Sequence, residues 1–310
     1  MLTVIGEALV DVVRGSTGTA AHVGGSPLNV AVGLARLDHP VQFLGRYGQD
    51  EYGDAIASHL KDASVMVPLP PDGLPSSVAT ATLDDSGAAS YEFELLWQLP
   101  GLVERLPTLL QGSTLLHTGS IATVLEPGAA DVLAAVEFAH PGVTISFDPN
   151  CRPSLTTDPD AVRAQVERLV ALSDIVKASD EDLAWLYPGA DVRDSARRWL
   201  TLGGSEAPAV VVVTRGAEGP WAVAAAGEVE VAAPRVDVVD TVGAGDSFMA
   251  ALLSGVVDAG YDGVLNRERL RRIGLEPLRS LLGGAARAAA VTVSRAGANP
   301  PSRKELAERA

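Results

Sequence analysis

The chain has 310 residues, of which 47% are hydrophobic, so it is long enough to bury a large core and suits one α/β domain. Its formal net charge of −15 argues against a general nucleic-acid-binding or anionic-membrane surface, although a local basic group still permits a phosphate site. The single cysteine, Cys151, excludes an internal disulfide and a cysteine-rich metal site, and it suits a reducing compartment.

The N-terminal segment does not have the pattern of a targeting signal. No basic region precedes it, and Glu7 and Asp11 interrupt its apolar stretch. The later apolar runs are too short to span a bilayer or are interrupted by Arg287. We therefore expect no signal peptide, no membrane span and a cytoplasmic location.

Short apolar segments with strand-like composition alternate with longer helical patterns. The predicted strands are 2–5, 41–44, 114–117, 144–147, 175–177 and 210–213. The predicted helices include 28–37, 129–139, 161–172, 180–187 and 248–257. This alternation is typical of βαβ units, and strands that are apolar on both faces fit burial between helix layers. The sequence therefore predicts an α/β domain with a mostly parallel central sheet.

Two stretches, 12–23 and 77–97, break the alternation. Both are rich in Thr, Ser, Val and Gly, and the second has two period-two segments on either side of residues 84–87, Asp-Asp-Ser-Gly. This pattern predicts a hairpin. The two stretches either form a small separate sheet that projects from the domain or extend the main sheet.

The most informative motif is the run 240–246, Asp-Thr-Val-Gly-Ala-Gly-Asp, which precedes a helix predicted to start near Ser247. Gly243 and Gly245 permit a turn that presents consecutive N–H groups, and the start of the helix adds its positive dipole end. Asp246 beside such an anion site fits a general base that takes a proton from an attacking hydroxyl. A glycine-rich turn in which Asp246 caps the helix is the alternative.

A second motif lies at residues 24–29, Gly-Gly-Ser-Pro-Leu-Asn. Ser26 is the predicted N-cap of a helix and Pro27 its first residue, so the two glycines make a tight approach to a helix start. A simple loop-to-helix turn is the alternative. Together the two motifs resemble the two signatures of the PfkB, or ribokinase-like, family of carbohydrate kinases. The segments 6–11 and 148–152 resemble most closely the bacterial fructokinase branch of that family.

The resemblance implies a ribokinase-like three-layer α/β/α fold in one domain over 1–310, with a small β-sheet lid over the sugar site. It implies transfer of the γ-phosphoryl group of ATP, with Mg²⁺, to the primary hydroxyl of a small neutral sugar, fructose above all. Asp246 is then the catalytic base, Gly243, Ala244 and Gly245 form the anion hole, and Arg152 lies near the transferred phosphoryl group. The resemblance also implies a set of sugar-binding residues: Asp11, Gly24, Gly25, Asn29 and Asp246.

For the nucleotide, the resemblance points to Lys177, Ser179, Thr214, Gly216, Gly219 and Gly245. Asp182 stands where the family contacts magnesium through water. Asp240, Val242, Arg295 and Gly297 correspond to a site for a monovalent cation such as K⁺, although Pro301 replaces a serine ligand of ribokinase. Several residues have simpler explanations: Ser179 can cap a helix, and Arg152 can pair with Asp148 or Asp158 on the surface.

The predicted lid favours a neutral acceptor. Phe93 and Trp97 offer apolar surface to a sugar ring, and residues 77–97 contain no Lys or Arg. The nearest alternative acceptor, 2-keto-3-deoxygluconate, needs a cationic group for its carboxylate. Another sugar or nucleoside kinase of the family and a non-catalytic sugar sensor are further alternatives, but a sensor has no need for the base Asp246. The resemblance also makes the lid a candidate homodimer contact.

Overall fold

The computed structural model describes residues 1–15, 18–83, 89–156 and 158–308. Its strands are β1 (Leu2–Ile5), β2 (Leu9–Gly15), β3 (Gly18–Gly24), β4 (Val41–Leu44), β5 (Ser77–Leu83), β6 (Ala89–Glu94), β7 (Leu115–Gly119), β8 (Thr144–Asp148), β9 (Ile175–Ser179), β10 (Val210–Thr214), β11 (Trp221–Ala224) and β12 (Gly227–Glu230). Its α-helices are α1 (Ser26–Arg36), α2 (Glu51–Asp62), α3 (Leu102–Leu109), α4 (Gly128–Ala139), α5 (Pro159–Ala171), α6 (Asp180–Leu186), α7 (Val192–Trp199), α8 (Ala244–Asp258), α9 (Arg267–Arg271), α10 (Leu275–Val293) and α11 (Arg303–Ala307).

Two separate sheets organise these strands. The larger has the order β12-β11-β10-β9-β8-β7-β1-β4, with parallel pairing from β10 to β4 and antiparallel pairing at the β11 and β12 edge. The smaller has the order β3-β2-β5-β6, in which β2 and β5 are parallel and both outer pairs are antiparallel. The hairpin predicted within 77–97 therefore belongs to a separate small sheet and does not extend the main one. Residues 84–87 of its turn lie outside the described residues.

The large sheet lies between two helix layers, each with its own apolar core. Along β10, Val210 and Val212 pack into one core and Val211 and Val213 into the other, because successive side chains of a strand point to opposite faces. Helices α1, α8 and α10 contribute to the first core, and α3 to α7 contribute to the second. The predicted three-layer arrangement with a mostly parallel sheet is confirmed.

Several strands extend further than the apolar pattern predicted. β8 ends at Asp148, β9 at Ser179 and β10 at Thr214, each a polar residue beyond the predicted end. The apolar pattern stops where the strands leave the core, whereas the ladder of hydrogen bonds continues. These polar residues consequently lie at the carboxyl ends of neighbouring parallel strands, the edge at which open α/β sheets bind ligands.

The buried side chain of Arg46 fastens the small sheet to the main domain. Its Nε and Nη2 donate to the two carboxylate oxygens of Asp72 at 2.8 and 2.7 Å. Its Nη1 donates to the carbonyl oxygens of Pro75 at 2.8 Å and Leu96 at 3.3 Å. Because these contacts lie just before β5 and just after β6, one guanidinium holds both connections to that hairpin.

Among the described residues, no helix is long and apolar enough to cross a membrane.

Candidate active site

A cavity of about 380 Å³ lies between the small sheet and the carboxyl edge of the large one. The small sheet contributes β2, β5 and β6, and the starts of α1 and α8 form part of the wall. The lining residues are Glu7, Leu9, Asp11, Gly25, Ser26, Asn29, Ala79, Phe93, Leu95, Ser120, Ile121, Asn150, Arg152, Leu155 and 241–246. Both sequence motifs therefore meet at one cavity, and the small sheet stands over it as a lid.

Asp246 lies in the first turn of α8, where two side chains from the start of α1 donate hydrogen bonds to it. Ser26 Oγ donates to Oδ1 at 2.6 Å, and Asn29 Nδ2 donates to Oδ2 at 2.8 Å. Burial raises the pKa of Asp246 above its ordinary value, and the two hydrogen bonds and the charges of Lys177 and Arg152 oppose the rise. The carboxylate is thus held in one orientation, and its raised pKa suits a proton acceptor.

The turn before α8 has the geometry of an anion site. Gly243 precedes the first helical residue and has φ 73°, a left-handed conformation that suits glycine. The helix begins at Ala244, earlier than the predicted start near Ser247, so residues 243–246 place its first-turn N–H groups at the cavity wall. A Cβ on Gly245 would lie 3.1 Å from Lys177 Nζ, so a buried ammonium group lies against this turn.

Asp11 follows β1 in the sequence but lies in the middle of β2 in the small sheet, not at the carboxyl edge of the large sheet. The reason is that the chain turns after β1 and starts a new strand at Leu9. Partial desolvation raises the pKa of the Asp11 carboxyl, and the charges of His22 and Arg152 oppose the rise. A Cβ on Gly24 would lie 2.4 Å from Asp11 Oδ2, so Gly24 leaves room for the carboxylate.

The prediction that Trp97 contacts the sugar is wrong. Its side chain is 4% exposed and packs in the second core, and its Nε1 donates to the carbonyl oxygen of Ala122 at 2.9 Å. Trp97 follows the end of β6, so the chain has already re-entered the main domain there. Phe93, on β6, lines the cavity, and its contact with a sugar stays a prediction.

Arg152 lines the cavity wall after β8. Its Nη1 donates to Asn150 Oδ1 at 2.7 Å and to the carbonyl oxygens of Asn150 and Cys151 at 3.2 and 3.1 Å. Within the described part of the chain, its guanidinium forms no ion pair with Asp148 or Asp158. The alternative of a surface ion pair therefore has no support, and the guanidinium is available to an anion in the cavity.

A second cavity of about 330 Å³ adjoins the turn before α8 at the ends of β9 and β10. Lys177, Ser179, Asp182, Thr214 and Gly245, all predicted nucleotide or magnesium residues, line it. Lys177 Nζ donates to Asp148 Oδ2 at 2.7 Å, and both side chains are buried. Burial lowers the pKa of Lys177, but the charges of Asp148 and Asp182 outweigh that effect and raise it overall, so the ammonium stays charged.

Ser179 and Asp182 form a capping box at the start of α6. Ser179 Oγ accepts from the Asp182 N–H at 3.0 Å, and Asp182 Oδ2 accepts from the Ser179 N–H at 2.8 Å. Asp182 Oδ1 accepts from the Cys151 N–H at 2.7 Å. Helix capping thus accounts for both residue types, while the carboxylate keeps acceptor capacity for a magnesium-bound water.

The two glycines predicted to bind nucleotide have different surroundings. Gly219 has φ 87°, and a Cβ there would lie 2.2 Å from the carbonyl oxygen of Val231, so close packing against the chain after β12 requires glycine. Gly216 has φ 50° and open space beside it. Among the described residues, neither lines the second cavity, so their nucleotide role stays a prediction.

The predicted cation ligands come from two loops that the structure brings together. Asp240 Oδ2 accepts from the Gly297 N–H at 2.8 Å, and Oδ1 accepts from the Val242 N–H at 3.0 Å. Arg295 forms an ion pair with Glu305. Each Asp240 oxygen accepts one of these hydrogen bonds and keeps acceptor capacity, so the carboxylate and nearby backbone carbonyl oxygens would be the ligands of a K⁺ ion there. In the described part of the chain, no cluster of three or more His, Cys, Asp or Glu could hold a metal.

Sequence reasoning missed three residues. Ser26 is the first helical residue of α1, whose N-cap is Gly25 with φ 110°, so its hydroxyl is free to bond Asp246 across 220 residues of sequence. Asp148 is the buried partner of Lys177, and Glu7 is a buried carboxyl at the cavity wall. Each lies inside a segment that the sequence had singled out, and for Glu7 and Asp148 an acidic residue beside a buried strand was the available signal.

Comparison with known proteins identifies the family. The family described as pfkB family carbohydrate kinase matches residues 1–305. A fructokinase from Rhizobium leguminosarum bv. trifolii is 33% identical over 288 residues, covering 90% of this chain and 86% of that protein.

Two solved structures have the same fold as this chain. A Xylella fastidiosa fructokinase with bound ATP has a TM-score of 0.87 at 26% identity, covering 99% of this chain and 97% of that one. A double-mutant fructokinase from Vibrio cholerae O395, in a form with fructose, ADP and potassium ion bound, has a TM-score of 0.81 at 27% identity, covering 99% and 98%. The resemblance seen in the motifs is confirmed, and the chain belongs to the pfkB family of carbohydrate kinases.

Proposed function

We propose that this protein is an ATP-dependent fructokinase that transfers the γ-phosphoryl group of ATP to the primary hydroxyl of fructose. The observation that carries the proposal is the position of Asp246 at the start of α8, where it lines the acceptor cavity beside Gly245, which lines both cavities. The relatives named fructokinase, and the Vibrio cholerae structure with fructose and ADP, support fructose as the acceptor.

Asp246 takes the proton of the attacking hydroxyl. Ser26 and Asn29 each occupy one acceptor position on its two oxygens, which leaves further lone pairs for the sugar. A base fixed in this way needs no reorientation when the hydroxyl arrives, so the barrier to proton transfer is lower.

The negative charge that spreads over the transferred group is met by the N–H groups at the start of α8, the ammonium of Lys177 and the guanidinium of Arg152. Lys177 lies against Gly245, and Arg152 lines both cavities. These groups are fixed before the reaction, which is how electrostatic stabilisation lowers a barrier. Magnesium, when bound, would neutralise phosphate charge, and Asp182 is the residue that would hold it through water.

A monovalent cation between the 240–242 and 295–297 loops is part of the proposal, because Asp240 joins these loops just before the anion turn. A cation there would fix the turn at Gly243. Replacing K⁺ by tetramethylammonium at constant ionic strength should lower kcat, and an unchanged kcat would remove the cation from the proposal.

A homodimer through the lid stays a prediction that light scattering can test.

The charges around the acceptor cavity favour a neutral sugar. Glu7, Asp11 and Asp246 line it, and Arg152 is the cationic lining residue. Three carboxyl groups therefore disfavour an anionic acceptor such as 2-keto-3-deoxygluconate. The guanidinium of Arg152 would have to offset this effect, although it also stabilises the transferred phosphoryl group.

The acceptor is tested by measuring kcat/KM for fructose, 2-keto-3-deoxygluconate, ribose and fructose 6-phosphate at saturating ATP and magnesium. We expect fructose to give the highest value. If either acidic acceptor exceeds fructose by more than about tenfold, roughly 1.4 kcal/mol of transition-state preference, the fructokinase proposal is wrong while phosphotransfer stands.

A further inference from the structure

We propose that Glu7 is a specificity-determining residue whose carboxyl group binds a sugar hydroxyl other than the one that is phosphorylated. The inference rests on the proposed function and extends it. Glu7 lies in the turn between β1 and β2, where the main sheet passes into the lid, and it lines the same cavity as Asp11 and Asp246.

The position of Glu7 is fixed by its neighbours on both sides. Its Oε2 accepts a hydrogen bond from the Ala122 N–H at 3.2 Å, and the hydroxyl of Ser120 also bonds to the carboxyl. A Cβ on Gly25 would lie 2.5 Å from the Glu7 carbonyl oxygen, so its backbone packs tightly against the start of α1. A side chain anchored in this way presents its carboxyl at a defined place in the cavity wall.

The carboxyl group is expensive to bury, which argues for a role that needs it. Glu7 is 4% exposed, and burial raises its pKa to about 7. The positive charge of Arg152 lowers the pKa of Glu7, and it also lowers those of Asp11 and Asp246. Three donors meet the carboxyl, namely the N–H groups of Ala122 and of Glu7 itself and the Ser120 hydroxyl. A carboxylate has about four acceptor positions, so one remains for a group in the cavity.

A sugar hydroxyl can take the remaining acceptor position. Near neutral pH the carboxyl takes both forms, so it can accept from a hydroxyl or donate to one. An acceptor that lacks that hydroxyl leaves this one position of the buried carboxyl unfilled, and sites built around a substrate hydroxyl reject such analogues strongly. Glu7 would thereby make the enzyme selective for a hydroxyl at another ring position, since Asp246 contacts only the hydroxyl that reacts.

The test compares the unsubstituted enzyme with Glu7→Gln on fructose and on deoxyfructoses that each lack one hydroxyl other than that at C6. We expect the unsubstituted enzyme to disfavour at least one analogue by about 10- to 100-fold in kcat/KM, and Glu7→Gln to lose most of that ratio. KM for fructose should rise about tenfold, with KM for ATP changed by less than about twofold. Glu94→Gln, which removes an exposed carboxylate of β6 outside the cavity lining, is the matched control and should behave as the unsubstituted enzyme.

The inference is overturned if a folded Glu7→Gln enzyme keeps the same kcat/KM ratio between fructose and every deoxy analogue. It is also overturned if that variant binds fructose with an unchanged Kd by calorimetry. If Glu7→Gln does not fold, Glu7→Asp takes its place in the same comparison, since it retracts the carboxyl by one methylene. If another acceptor proves better than fructose, the proposed function fails, and the ratios on deoxy forms of that acceptor decide about Glu7 separately.

Discussion

At the residue scale, the base is held by a pair of donors that only the folded chain brings to it. Ser26 and Asn29 belong to α1 and Asp246 to α8, and their hydrogen bonds of 2.6 and 2.8 Å join the two helix starts. The same two bonds therefore orient the proton acceptor and fasten the helices that form the cavity wall.

Replacing Asp246 by Asn should lower kcat by about 10²–10⁴, the range for a lost general base, while the fold and the Kd for fructose are kept. The carboxamide is nearly isosteric but does not accept the proton. Steady-state kinetics and calorimetric binding of fructose check both parts. Asp62→Asn, on the exposed end of α2, is the control for loss of one carboxylate. Near-normal turnover by folded Asp246→Asn would contradict the role of base.

Replacing Arg152 by Ala should lower kcat more than the affinity for fructose, because its guanidinium meets charge that grows in the transition state. Arg152→Lys keeps the charge without the planar fork, so we expect partial recovery of kcat. The measurement is kcat and KM for both substrates in the two variants. A rise in fructose KM at constant kcat would instead place Arg152 on the sugar.

At the element scale, the N-terminus of α8 depends on a glycine that packs against a second loop. Gly243 has φ 73°, and a Cβ there would lie 2.6 Å from Ala298 Cβ. Gly112 has a similar φ of 77° with open space around it. The two positions therefore share the backbone strain of a side chain at positive φ but differ in the contact.

Gly112→Ala should cost about 1–2 kcal/mol of unfolding free energy and leave kcat unchanged, because only the strain applies. Gly243→Ala should cost more and also lower kcat at least tenfold, since the helix start must move away from the loop at Ala298. Urea denaturation and initial rates measure the two effects. Equal kcat values for both variants would show that the position of this helix start does not matter to the reaction.

At the scale of the whole molecule, the cavity places carboxyl groups where burial disfavours their charged form. Burial raises the pKa of Glu7 from 4.5 to about 7, and it raises those of Asp11 and Asp246 as well. Between pH 4.5 and about pH 7, the folded chain keeps a proton on Glu7 that the unfolded chain has released. The stability that this proton provides is present below about pH 4.5 and is lost as the pH rises through 7.

Glu7→Gln should therefore gain stability relative to the unsubstituted protein as the pH rises from 5 to 8, by up to about 3 kcal/mol. Urea denaturation at the two pH values gives the difference in unfolding free energy. Glu94→Gln, an exposed control, should show no such trend. A constant difference between Glu7→Gln and the unsubstituted protein would mean that Glu7 titrates alike in both states.

The sequence by itself determined the α/β class, the approximate strands and the two glycine-rich motifs. These features are local: apolar strands such as 2–5 and 41–44 show their burial in composition, and Gly243 and Gly25 mark conformations that other residues avoid. The family resemblance was available for the same reason, since each motif is a continuous run of residues that bends the backbone at one place.

Only the tertiary structure decided which residues meet. It placed Asp11 in the lid and Trp97 in the core, since a strand of similar composition can join either sheet and an aromatic side chain suits either surface. It also paired Ser26 with Asp246 and Lys177 with Asp148. These partners are distant in sequence, and their hydrogen bonds depend on how helices and strands pack, which no local pattern of residues records.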